Sequence, residues 1–133
     1  MPAWLRNKTL RLWVPPIAGF LFYGAWAFAI NFSHGFESAI TAAFTQGGYS
    51  FSITLVLALV IEFLFDRLAT MAISVAWRNV WVFIAGFCLL LFTSVGINLL
   101  TGTPEILWTV LPGLMISSVY TMLYILTLNK TEA

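Results

Sequence analysis

Two carboxylates, Glu62 and Asp66, stand four residues apart just after a long uncharged run, Ser38 to Ile61. On a helix that spacing puts both on one face. Their mutual repulsion is relieved by a shared proton or a bound cation. An acid inside a membrane helix costs several kcal/mol and marks a functional position by default. The chemistry on offer is therefore proton or cation coupling. The competing reading is an interfacial ion-pair cluster, with Arg67 adjacent and Arg11 and Arg78 as further cytoplasmic partners. Register separates the two. A long helix from Ser38 to Arg67 places Glu62 near the charged end, about 90° from the centre of the small-residue face at ~100° per residue. A shorter helix from Tyr49, with 36–48 as a loop or re-entrant piece, buries Glu62 deeper.

Other polar residues are few. Gln46 lies at the edge of the small-residue face. It suits hydrogen bonding between helices, or a polar point in a pathway. Asn31 and Asn98 fall near the outer ends of two apolar runs, where capping is their expected work. His34 is the single histidine, and Glu37 follows three residues later. The two are candidate external polar residues for pH sensing or weak cation binding, but they do not make a zinc site. The single cysteine, Cys88, lies in an apolar run and excludes an internal disulfide. The sequence has no glycine-rich phosphate loop ending in Lys-Ser/Thr, no G-x-S-x-G, no H-E-x-x-H and no C-x-x-C. No cofactor or metal is expected, and an enzyme is not expected.

The elements that must position these residues follow from composition. Of 133 residues, 61% are hydrophobic and 8% charged, and mean hydropathy is +0.96. Soluble domains carry about 25% charged residues, and one of this size hides only about two-thirds of its unfolded surface. Lipid must solvate the remainder. A net charge of +1 offers no surface for nucleic acid. About 20 apolar residues cross the hydrocarbon core, and four spans are expected, near 13–31, 38–67, 79–100 and 104–128. Pro15 and Pro16 are expected in the first turn of the first span. Gly35 is expected to close it, and Gly47-Gly48 to loosen the second. A short surface segment is expected over 68–77. Thr103-Pro104-Glu105 reads as a helix start, with Thr as N-cap, and Pro112 as a kink.

All 6 Lys and Arg fall on one side of this arrangement. By the positive-inside rule that side is the cytoplasm. Trp13, Trp77, Trp81 and Trp108 fall near the expected interfaces. The expected fold is an all-α membrane protein: an antiparallel four-transmembrane-helix bundle, with N and C termini inside, forming one domain in the cell inner membrane.

Packing faces are legible as small residues at helical spacing. Ala43, Gly47, Ser50 and Thr54 share an arc of the second span with Ala39 and Ala58. Gly113 and Ser117 begin a stripe on the fourth that continues to Thr121 and Tyr124. Two function classes suit such a chain. One is a transporter- or flippase-like protein, working as a homo-oligomer because four helices alone enclose little space. The other is an accessory or scaffold subunit of a larger membrane transport or envelope-biogenesis complex. In size and span count the chain is similar to small multidrug transporters and to the small flippase-associated proteins of polysaccharide synthesis. It departs from the first family in having no acid in its first span, and it carries no motif of the second.

Overall fold

The structure, a computed structural model, describes residues 8–132. They form four long helices: α1 (Lys8–Asn31), α2 (Phe36–Ala69), α3 (Val75–Leu100) and α4 (Ile106–Glu132). A single 3-10 turn, Phe32–His34, leads from α1 towards α2. Among the described residues there is no strand. Each of the four helices is long and apolar enough to cross a membrane, which is the architecture of a multi-pass membrane protein. Large apolar side chains such as Leu21, Leu59, Phe63, Phe92 and Leu107 are exposed, and so are Trp13, Trp77, Trp81 and Trp108. Apolar exposure on this scale needs lipid as its solvent.

Helix boundaries differ from the sequence expectation in several places. α1 begins at Lys8, so Pro15 and Pro16 lie inside it and not in its first turn. Neither proline can donate to the carbonyl one turn earlier, a loss that membrane helices tolerate where neighbours cover the site. Pro16 is fully buried. α2 runs unbroken for 34 residues through Gly47-Gly48. That is about 50 Å at ~1.5 Å per residue, against a hydrocarbon core of about 30 Å. The excess goes into tilt or into the polar zones on either side. No separate surface helix forms over 68–77. Leu68 and Ala69 finish α2, and the Thr70 hydroxyl closes it by donating to the Arg67 carbonyl at 2.7 Å. Ser74 then caps α3, accepting from the Trp77 amide. Gly35 does turn the chain between α1 and α2, at φ 101°, a region that side chains disfavour.

One apolar cluster joins three of the helices. Leu57, Ile61 and Phe65 of α2 meet Val82 and Leu90 of α3 and Ile125 of α4. α1 contributes nothing to that cluster and is held by close backbone approach instead. A Cβ on Gly47 would stand 3.0 Å from the Phe20 carbonyl oxygen, and one on Gly24 would stand 3.1 Å from that of Ala43. Gly19 lies against Ser50 and Thr54. Small residues thus allow α1 and α2 to pack at a distance that larger side chains would prevent. The two adjacent glycines differ sharply, because a Cβ on Gly48 would meet nothing within 4 Å.

That contrast is testable. Gly47→Leu should push α1 off α2 and lower the unfolding free energy in detergent by about 1–3 kcal/mol, the usual cost of overpacking. Gly48→Leu should leave the unfolding midpoint within experimental error of the parent. Equal effects at the two positions would contradict the packing described.

Candidate functional site

Polar side chains concentrate at the end of the molecule where α1 and α3 finish and α2 and α4 begin. Asn31, fully buried, is the hub of one group. Its Nδ2 donates to the Ala27 carbonyl at 2.8 Å and to Thr109 Oγ1 at 2.9 Å. Its Oδ1 accepts the Glu105 amide at 3.1 Å. The start of α4 is therefore capped by a side chain from α1. Thr103 was the expected cap, but its hydroxyl is used elsewhere. It donates to Asn98 Oδ1 at 2.8 Å, and its amide donates to the Asn98 carbonyl at 2.9 Å. Asn98, also fully buried, thus fastens the approach to α4 from the α3 side. Asn31 caps as expected, but on α4 and not on its own helix; Asn98 caps no helix and instead ties the loop and Gln46 to α3. His34 Nε2 lies 3.0 Å from Glu105 Oε1 on the exposed rim. Its partner is not Glu37, which is exposed in the first turn of α2 and favoured there by the helix dipole.

Pro112 adds one more tie between α1 and α4. Without an N–H, it leaves the Trp108 carbonyl without its bond from one turn on. Trp26 Nε1 donates to that carbonyl at 2.8 Å. In lipid such an orphan costs several kcal/mol if nothing meets it.

Gln46 is held one helical layer further in and is 1% exposed. Its orientation follows from its neighbours. Asn98 Nδ2 donates to the Ser94 carbonyl at 2.9 Å, and a carbonyl can only accept. The same nitrogen lies 2.9 Å from Gln46, so Gln46 presents Oε1 to it. Gln46 Nε2 is left facing Gly113, 3.6 Å from where a Cβ there would stand, and meets no acceptor among the described residues. It borders a small internal cavity of about 20 Å³, lined by Tyr23, Ser50, Ser94, Gly113 and Ser117 among others. Tyr23, Ile53, Thr54 and Ser117 also line a larger cleft of about 320 Å³. This cleft lies between α1 and α4 with α2 as its floor, and reaches Pro15, Ala18 and Tyr120. The polar cavity is therefore the inner end of a mostly apolar lateral cleft.

The expected packing residues divide between two tasks. Ala43 and Gly47 meet α1. Ser50 and Thr54 face the cleft system, as do Gly113 and Ser117. Thr121 is buried against Gly86 of α3.

The acidic pair sits towards the opposite end. Glu62 is exposed, and its Oε1 accepts a hydrogen bond from the Tyr124 hydroxyl. Tyr124 stacks on Tyr120 with centroids 5.8 Å apart, and Tyr120 lines the cleft. Glu62 thus stands by the cleft's lower rim. The expected arginine cluster is arranged otherwise. Arg67 lies over the Phe63 ring at 5.6 Å. Arg78 is buried, lies over the Phe65 ring at 4.0 Å and donates to Asn129 Oδ1 at 3.0 Å. Asp66 is exposed. The side chain of Arg11 lies outside the described residues.

Sequence reasoning missed Tyr23, Tyr49 and Thr109. The Tyr49 hydroxyl donates to the Leu90 carbonyl at 3.1 Å and lies 2.8 Å from Thr93 Oγ1, joining α2 to α3. A hydroxyl-bearing aromatic inside an apolar run was the available signal. Among the described residues no group of three His, Cys, Asp or Glu could hold a metal ion. Comparison with protein-family models, curated proteins and solved structures finds no match.

The Trp26 bond to the carbonyl freed by Pro112 yields a double-mutant prediction. Trp26→Phe should destabilise the parent by about 1–2 kcal/mol, because a desolvated carbonyl loses its donor. In a Pro112→Ala background residue 112 supplies its own N–H, so the same change should cost at least ~0.5 kcal/mol less. Detergent unfolding curves of the four proteins measure this. Identical costs in both backgrounds would mean that Trp26 and Pro112 are not linked.

Proposed function

We propose that this chain is a transporter- or flippase-like protein of the cell inner membrane, working as a homo-oligomer, with the lateral cleft as its substrate-binding surface. The supporting observation is the cleft itself. It opens between α1 and α4, has an apolar wall, ends inward on Gln46, Tyr23 and Ser117, and has Glu62 by its lower rim. A site of about 320 Å³ is at the small end of ligand pockets. An amphipathic molecule entering from the bilayer would place its chain along the wall and its polar group inward. The four helices form an antiparallel bundle with both termini in the cytoplasm, a reading supported by the one-sided distribution of Lys and Arg. In that orientation Glu62 stands towards the cytoplasmic side.

A second reading is an accessory subunit of a larger membrane complex. A shallow groove between α2 and α3, at Phe44, Gly48, Tyr49 and Gly96, favours it. Neither glycine has anything within 4 Å of its missing Cβ, so another helix could approach closely there. The mass of the complex in a mild detergent separates the two readings: a homo-oligomer fits the first, a stoichiometric second protein the second.

Flux of a fluorescent amphipath in proteoliposomes tests the transport reading. Glu62→Gln keeps a partner for Tyr124 but removes the charge, and Ser117→Leu fills the cleft. Each should reduce flux by about tenfold or more, equivalent to about 1.4 kcal/mol, with unfolding midpoints near the parent's. Absence of flux by the purified parent chain, or full flux in both variants, would overturn this function.

A further inference from the structure

Resting on the lateral cleft as a binding surface, we propose that its ligand is an uncharged amphipath: an alkyl, acyl or isoprenoid chain bearing a neutral oxygen acceptor, a hydroxyl or carbonyl, that docks on Gln46 Nε2. Three observations support this chemistry. First, the amide of Gln46 is turned by Asn98, so that its N–H groups are presented to the cavity. That is a fixed donor, and a donor selects an acceptor. Second, Gln46 is 1% exposed and its Nε2 has no protein partner among the described residues, so the ligand would complete a hydrogen bond that the fold leaves open. Third, none of the residues lining the cavity or the cleft is charged. An ammonium or phosphate group carried that far in would lose its hydration with no counter-charge to replace it.

Size narrows the fit further. The inner cavity holds about 20 Å³, room for one water molecule or one oxygen-bearing group. A whole sugar or phosphate headgroup does not enter it. The chain must therefore occupy the larger cleft, and only a terminal or single polar group reaches inward. Tyr23 contributes a hydroxyl at the junction of the two spaces. Thr54 Oγ1 donates to the Ser50 carbonyl at 2.6 Å and so offers only acceptor lone pairs. Ser50, Ser94 and Ser117 add hydroxyls that can donate or accept, so Gln46 Nε2 is the lining group here that can only donate.

The test uses three photoreactive probes of equal chain length with a diazirine in the chain: an alkane, a primary alcohol and an alkyl-trimethylammonium. The purified chain in lipid nanodiscs is crosslinked, and labelled peptides are quantified by mass spectrometry. Labelling of the α1 and α4 cleft segments should favour the alcohol over the alkane by roughly three- to tenfold, the worth of one neutral hydrogen bond. Ala18→Trp, at a lipid-facing position of the cleft wall, should abolish labelling by all probes. Gln46→Leu should bring the alcohol-to-alkane ratio to about one. Because Gln46 also accepts from Asn98, that variant can misfold. Gly113→Ala covers the case, since its methyl would lie in ordinary contact with Nε2 at 3.6 Å and screen it without a clash. It too should bring the ratio to about one. Cleft labelling that is blocked by Ala18→Trp, yet favours the ammonium probe or is indifferent to headgroup in the parent, overturns the Gln46 assignment and leaves the cleft reading standing. No cleft labelling by any probe overturns both.

Discussion

Inside a bilayer no water is available to an orphaned peptide group, so each one must find a partner within the protein. At the start of α4 that constraint is concentrated. Glu105 offers an uncapped amide, Thr103 an unsatisfied loop, and Pro112 exposes the Trp108 carbonyl. Asn31, Asn98 and Trp26 meet these groups one for one. A single interhelical hydrogen bond in a membrane contributes only about 0.6 kcal/mol on average, whereas leaving its partners unmet costs several. The second figure decides the outcome. The network adds little net stability, but it excludes arrangements in which α4 starts anywhere else. Two helices that share few apolar contacts, α1 and α4, are thereby joined at one end.

The cleft follows from that asymmetry. The cluster of larger apolar side chains is made by α2, α3 and α4, while α1 lies against α2 through glycine contacts. Beyond the polar ties nothing comparable draws α1 onto α4, and the space between them persists from Tyr23 to Tyr120. Its inner end is polar because the same network that pins α4 also turns Gln46. One hydrogen-bonded chain, from Thr103 through Asn98 to Gln46, thus connects the turn before α4 to the deepest polar atom of the cleft. The Glu62–Tyr124 bond stands at the other end, where charge is closer to water.

Much of the fold is legible from composition and spacing, and much of the site is not. Four apolar stretches of sufficient length demand four long helices, and the small residues of α2 do face a neighbour. Helix ends were less legible, because a membrane helix continues past its apolar stretch wherever the backbone can still bond internally. Lys8 to Leu12, Phe36 and Glu37 are helical for that reason. The sequence offers Thr103-Pro104-Glu105 as a local capping signal, but the cap comes from Asn31, 74 residues away. Long-range partners of this kind leave no periodicity. Glu62 invites pairing with Arg67 or Arg78 by sequence charge alone. Arg78 is instead drawn inward by Phe65 and Asn129, and Glu62 is met by a tyrosine from α4. The importance of Gln46 was visible as an isolated amide in an apolar run, but the direction of its nitrogen was not, since that depends on Asn98 and Ser94 of another helix.

In this structure α1 and α4 are clamped at one end and parted at the other. Distances between spin labels report on both ends. In a Cys88→Ser background, one pair would sit at Phe32 and Leu107 and a second at Val14 and Leu123, all exposed positions. A clamp at one end predicts a narrow distribution for the first pair and a broader one, which an amphipath filling the cleft shifts, for the second. Two equally narrow distributions, or a broad one at Phe32 and Leu107, would contradict it.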